Sequence, residues 1–157
     1  MHCVATEPRE FMPSPLFSSK PLVAIVEDND QLRRAMSRVL ETAGFKTKSF
    51  RSVIDFVNSG ALGRIDCLVL DISLPGIDGL KLQECIRSTN YDLPIIFCSG
   101  TRSDVVKARA IAGGATCFLR KPVSSQELIE VVRAACKCSE SSVDQPGPSV
   151  ARAIALN

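Results

Sequence analysis

The sequence predicts a doubly wound α/β domain on a five-stranded parallel sheet. Three observations carry this. From residue 21 to residue 138, short apolar runs alternate five times with longer segments of helical period. Three of the runs, LVAIVE, CLVLD and PIIFC, are apolar almost throughout, as strands covered on both faces should be. A chain of 157 residues, 45% of them hydrophobic, suffices for one core and leaves little for a second.

The first run, Leu22–Glu27, is apolar up to its acidic last residue and predicts the first strand. Asn29 or Asp30 can cap the helix that follows, over Gln31–Ala43. Leu32, Ala35, Met36, Val39 and Leu40 give that helix an apolar stripe, and Gly44 stops it. Lys46–Phe50 carries Lys46, Lys48 and Ser49, which places the second strand at a sheet edge. A short helix is predicted over Val53–Asn58, the third strand over Cys67–Asp71 and the third helix over Leu80–Arg87. Pro94–Cys98 and Thr116–Arg120 supply the last two strands, with a helix over Asp104–Ala112 between them. The last helix, Ser125–Cys136, opens on Ser124-Ser125-Gln126-Glu127, an N-cap followed by an acid that suits the positive helix end. Residues 1–20 hold three prolines, and residues 139–157 begin rich in Ser, Pro and Gly; both are expected to be flexible tails.

Nineteen basic residues against seventeen acidic ones leave a net charge of +2, too balanced for a protein that works by gripping phosphate backbones or anionic lipid. Direct nucleic-acid binding is therefore not expected. Nor is a membrane: no segment approaches the ~20 apolar residues of a span, and the first residues lack a basic start before an apolar centre. The cysteines (3, 67, 85, 98, 117, 136 and 138) are odd in number and lie mostly in apolar runs, as small buried hydrophobes do. Only Cys136 and Cys138 form a close pair and His2 is the one histidine, so a zinc site through sulfur is not indicated. These features place the chain in a reducing cytoplasm.

Doubly wound sheets bind ligands beyond the carboxyl ends of their strands. There the sequence puts Glu27 and Asp28 on strand one, Asp71 on strand three, Ser99 on strand four, and Arg120, Lys121 and Pro122 on strand five. Singly, each has an ordinary explanation: Asp28 or Asp71 as a helix cap, Ser99 as a turn residue, Lys121 as a solvated charge. Their coincidence at four strand ends of one sheet points to a site. Three gathered carboxylates repel one another and raise one another's pKa unless a cation neutralises them. An oxygen-only donor set suits Mg²⁺, which keeps several of its waters, and Lys121 can supply a second positive charge.

Four stretches, VAIVEDND, CLVLDISLPGIDGL, IIFCSGT and CFLRKPV, together resemble the receiver domain of two-component response regulators. The loop wording is most similar to single-domain receivers of the FixJ type. The resemblance spans residues 21–138 and implies the flavodoxin-like (βα)5 fold with strand order 2-1-3-4-5. It also implies roles for individual residues. Asp71 corresponds to the phosphoacceptor, Asp28 to a direct Mg²⁺ ligand beside Asp71, Glu27 to a ligand acting partly through water, and the Ser73 backbone carbonyl to a further ligand. Ser99 matches the hydroxyl that bonds the phosphoryl group, Lys121 the basic partner, Phe118 the aromatic switch position, and Lys121-Pro122 a cis peptide bond. Phe118 departs from the pattern in lacking the hydroxyl of the common tyrosine, and Ser99 in lacking the methyl group of threonine. The implied partners are a histidine kinase or histidine phosphotransfer protein as donor and a downstream protein as target.

Phosphoryl transfer needs an in-line nucleophile and fixed positive charge around the transferred group. The resemblance makes Asp71 the nucleophile and Mg²⁺ with Lys121 the clamp. The aspartyl phosphate then draws in the Ser99 hydroxyl, a two-state switch set by a modification. Such a chain is a switch and no enzyme, beyond slow hydrolysis of its own phosphate. The expected output is protein binding through the fourth helix, fifth strand and fifth helix, with Lys107, Arg109 and Arg120 as candidate contacts and the Phe118 ring turning inward. In the loop after Asp71, Pro75 and Gly76 predict a turn, and Gly79 a backbone conformation that other residues resist. Competing readings fare worse. A phosphatase of the haloacid dehalogenase type needs a second Asp where this chain has Ser73, and neither G-x-G-x-x-G nor G-x-x-x-x-G-K-[ST] is present. A receiver-like module that binds a partner without phosphorylation has no need of the full residue set. Residues 139–157 are too few for a helix-turn-helix output domain.

Overall fold

A computed structural model describes residues 19–139. Most of both expected tails, with His2 and Cys3, lies outside the described residues. Five strands, β1 (Leu22–Val26), β2 (Lys46–Phe50), β3 (Cys67–Asp71), β4 (Ile95–Ser99) and β5 (Cys117–Arg120), form one sheet in the order β2-β1-β3-β4-β5. All four pairings are parallel. Helices α1 (Asp30–Thr42), α2 (Val53–Asn58), α3 (Gly79–Ser88), α4 (Asp104–Ala112) and α5 (Ser125–Ser139) follow the strands in turn, and one 3-10 turn, Leu62–Arg64, precedes β3. The expected fold class and strand order are those observed.

The sheet separates two cores. On one side Met36 and Leu40 of α1 meet Leu128, Val132 and Ala135 of α5 over Val23, Ile25, Val69 and Ile96. On the other, Val53, Phe56, Leu80, Leu82, Ile86 and Ala110 bring α2, α3 and α4 against Ala24, Leu68, Leu70 and Phe97. Every residue of β3 and β4 is buried, which explains their unbroken apolar runs. The edge position expected for β2 is also observed, and its residues are exposed or half-buried. The opposite edge is β5, which leaves Cys117 half-buried where a buried position was expected. Among the described residues, no helix is long and apolar enough to cross a membrane.

The ends of the elements carry small corrections. Asn29 is the α1 cap, its side-chain oxygen accepting from the Leu32 N–H at 3.0 Å. The stripe expected on that helix is rotated: Ala35 is exposed and Arg33 is buried with Met36 and Leu40. β1 stops one residue early because the Glu27 carbonyl leaves the ladder to accept from Arg33, although the Glu27 N–H still donates to the Phe50 carbonyl at 3.1 Å. Gly79 serves a purpose other than the one expected. The left-handed residue of the loop is Gly76, at φ 94°. A Cβ on Gly79 would instead stand 3.0 Å from the Asp71 carbonyl and 3.3 Å from Leu70 and Phe97 side-chain atoms, so glycine lets the first turn of α3 approach β3.

Candidate functional site

Because the strands are parallel, the ends of β1, β3, β4 and β5 open on one rim of the sheet. Asp71 closes β3 with its side chain 5% exposed, and Glu27, one residue past β1, is 3% exposed. Lys121, one residue past β5, reaches between them: its ammonium donates to Glu27 Oε2 at 2.7 Å and to Asp71 Oδ2 at 2.8 Å. The remaining oxygens are also held. The Asn29 N–H donates to Glu27 Oε1 at 3.1 Å, and the Ser73 N–H to Asp71 Oδ1 at 2.8 Å. Asp28 stands exposed in the turn between β1 and α1, and one carboxylate oxygen from each of Glu27, Asp28 and Asp71 lies within 4.8 Å of the others.

Burial drives the electrostatics. It pushes the Glu27 carboxyl above its ordinary range, an effect that the Lys121 and Asn29 bonds oppose and the neighbouring Asp71 reinforces. Burial alone would push the Lys121 ammonium down, but its bonds to Asp71 and Glu27 outweigh this and raise it. One ammonium thus faces two buried carboxylates and a third exposed one. An all-oxygen cluster with surplus negative charge and an open side fits Mg²⁺, which takes few protein ligands. Glu27, Asp28 and Asp71 are the residues that would hold it.

Ser99 and Phe118 join this rim less directly. Ser99 ends β4 and is fully buried; its backbone carbonyl accepts from the Lys121 N–H at 2.9 Å. Its hydroxyl accepts from the Thr101 N–H at 3.1 Å, the Thr101 hydroxyl accepts from the Ser103 N–H at 3.2 Å, and the Ser103 hydroxyl caps α4 by accepting from the Val106 N–H. Three successive hydroxyls therefore connect the rim to the start of α4. Phe118 pairs with Phe97 across β4 and β5 and is half-buried against the α4 side of the core. The Lys121-Pro122 peptide is cis, as expected. Beside Lys121 an open cleft of about 450 Å³ is lined by Leu32, Met36, Cys98, Pro122 and Val123.

The sequence reading missed Arg33 and Asn29 as parts of this rim. Asn29 was legible only as a helix cap, and its N–H bond to Glu27 follows from the tightness of the turn. Arg33 interrupts an apolar stripe between Leu32 and Met36, and that interruption was the one available signal.

A family model described as the response regulator receiver domain matches residues 23–133. Nodulation protein W of Bradyrhizobium diazoefficiens is 37% identical over 118 residues, covering 75% of this chain and 52% of that protein. The transcriptional regulatory protein TdiR of Thauera aromatica is 30% identical over 123 residues, covering 78% and 54%. The chain spans about half the length of these curated relatives. Among solved structures, FixJ-N superposes with a TM-score of 0.70 at 26% identity, covering 80% of this chain and 98% of that one. The chemotaxis response regulator CheY4 of Vibrio cholerae, at 23% identity and a TM-score of 0.67 over 74% of this chain and 99% of that one, shares the fold.

Proposed function

Because the chain belongs to the response regulator receiver domain family, we propose that it is a phosphorylation-controlled signalling switch whose acceptor is Asp71. The observation that carries the proposal is the Lys121 ammonium held between the Glu27 and Asp71 carboxylates, with Asp28 alongside. The Ser73 N–H and Lys121 fix the two oxygens of Asp71, so the nucleophile is oriented before a donor arrives. An Asp71 oxygen forms the new bond to phosphorus, and the bond from phosphorus to the imidazole nitrogen of a histidine kinase or histidine phosphotransfer protein breaks. Bound Mg²⁺ would add positive charge where the transferred oxygens gather. Lys121 contributes the charge that belongs to the protein itself, and hydrolysis of the aspartyl phosphate returns the chain to its starting state.

The output we assign to the face formed by α4, β5 and α5. A phosphoryl group on Asp71 offers acceptor oxygens to the Ser99 O–H while the Ser99 oxygen still accepts from the Thr101 N–H. Drawing the hydroxyl toward the phosphoryl group therefore pulls on that bond, and the chain of hydroxyls from Ser99 through Thr101 to Ser103 carries the change to α4. Helix α4 is suited to act on a protein target because it is apolar on both sides. Val106 and Ala110 face the core, while Val105 and Ile111 are 70% and 47% exposed and Ala108 and Ala112 are exposed with them. Lys107, Arg109 and Arg120 flank that surface, Arg120 3.7 Å from Asp104. Inward rotation of Phe118 would reshape its edge.

Amide shifts on addition of beryllofluoride with Mg²⁺ test this reading. Shifts are expected at Asp71, Ser99 and through residues 101–120. Shifts confined to α1, with α4 and β5 silent, would overturn the choice of face.

A further inference from the structure

Arg33 is the only buried basic residue among the described residues, 7% exposed on a helix otherwise turned to solvent at its charged positions. Taking a guanidinium out of water is costly, and an apolar side chain would serve packing as well beside Met36 and Leu40. Its contacts point elsewhere. Nη1 donates to the Glu27 backbone carbonyl at 2.9 Å, and Nη2 pairs with Asp30, whose other oxygen takes Arg51 at 3.0 Å from the loop after β2. The Glu27 carbonyl begins the peptide that carries Asp28. Rotating that peptide swings the Asp28 Cα, and with it the Asp28 carboxylate.

Asp28 needs this help more than its neighbours do. Glu27 and Asp71 each have both carboxylate oxygens tied by hydrogen bonds, whereas no hydrogen bond among the described residues reaches the exposed Asp28 carboxylate. The backbone of residues 27–29 therefore sets the Cα and Cβ from which that carboxylate reaches the cluster. That backbone is pinned at the Glu27 N–H by Phe50, at the Asn29 carbonyl by the Arg33 N–H at 2.9 Å, and at the Glu27 carbonyl by the Arg33 side chain.

We propose that Arg33 is a positioning residue of the acidic site: by holding the Glu27 carbonyl, its guanidinium fixes where the Asp28 carboxylate stands, and so sets the affinity for a divalent cation. The inference rests on the Mg²⁺-dependent reading given above. It makes an unusual prediction of sign. A neighbouring cation repels Mg²⁺, so removing Arg33 for its charge alone would tighten binding. Removing it as a positioning group loosens binding instead.

The test is calorimetric titration of Mg²⁺ into the unphosphorylated full chain, as wild type, Arg33→Met, Arg33→Lys and Asp28→Asn, each checked for helix content by circular dichroism. Arg33→Met is expected to bind about tenfold more weakly, as second-layer substitutions at metal sites do, with helix content retained. Arg33→Lys keeps the charge but has a single nitrogen for two acceptors, and should fall in between. Unchanged or tighter binding by Arg33→Met overturns the proposal. Should that variant not fold, Arg33→Lys decides, since wild-type affinity there also overturns it. If the wild type itself takes up no Mg²⁺, or Asp28→Asn binds as well as wild type, the functional reading fails along with the proposal. Wild-type binding matched by Arg33→Met sinks the role of Arg33 alone.

Discussion

Replacing Lys121 with Met keeps most of the stem and removes the ammonium that bridges Glu27 and Asp71 at 2.7 and 2.8 Å. At an effective dielectric of about 20 each contact is worth ~6 kcal/mol of attraction, most of it cancelled by desolvation of the charges. Breaking a fully buried pair costs ~3–5 kcal/mol and an exposed one ~0–1 kcal/mol, so the position of Lys121 between those extremes decides the value. Its side chain is 22% exposed while the acids are 3% and 5% exposed. A loss of ~2–3 kcal/mol follows, or roughly 8–12 °C in Tm near neutral pH for a domain of this size. The loss has a pH signature. Burial, with Asp71 adding to it, raises Glu27 on folding, and a carboxyl raised in this way costs stability above its folded pKa and nothing below its unfolded value of 4.5. Without Lys121 the Glu27 carboxyl rises further, so the deficit of Lys121→Met is full near neutrality and shrinks as Glu27 protonates on the way down to its unfolded value. Lys121 is raised above 10.5, so its contribution is complete below that value and is lost as the pH climbs through the folded pKa. Urea unfolding of both proteins across this range measures the difference directly. A deficit independent of pH, or one under ~0.5 kcal/mol near neutrality, would refute the bridging account.

Three further outcomes are expected. Gly79→Ala should cost ~1–3 kcal/mol, read from the urea midpoint, because its Cβ meets the Asp71 carbonyl at 3.0 Å; no change would show that α3 shifts freely. Among the described cysteines, mild alkylation of the folded chain should spare Cys67 and Cys98 and label the half-buried Cys85 and Cys117 before them. Contact with Cys136 together with burial raises the Cys67 thiol far above its ordinary range, and burial pushes Cys98 up to about 12. Peptide mapping showing early modification of Cys98, or phosphorylation abolished by such labelling, would contradict this. Val105→Asp, at a position 70% exposed, should change stability by under ~0.5 kcal/mol yet weaken capture of a phosphorylation-dependent target; unaltered binding would remove α4 from the interface.

Much of the fold was legible because burial is written in the strands. Residues of β3 and β4 are apolar up to the last position, Asp71 and Ser99, since helices cover both faces, and those of β2 are polar up to Phe50 since it borders solvent. Strand order was not legible from periodicity and came only with the resemblance. The acidic residues and Lys121 could be read from their places at strand ends, a consequence of parallel topology. What escaped was geometry that depends on contacts distant in sequence. Gly79 invites a turn explanation, and only the packed structure shows it making room for the Asp71 carbonyl. Arg33 breaks an apolar stripe without saying why, because its acceptor is a backbone carbonyl, which no residue identity betrays. Most boundaries moved by a residue, as at the end of β1 where a side chain redirects the backbone, and α5 runs on to Ser139 where Cys136 was the expected end.

The claim that Asp71 accepts a phosphoryl group is tested most directly by intact mass after incubation with acetyl phosphate and Mg²⁺. The wild type should gain the mass of one phosphoryl group, and Asp71→Asn, which keeps the side chain's shape without the nucleophile, should gain none. The same gain in Asp71→Asn would contradict the assignment.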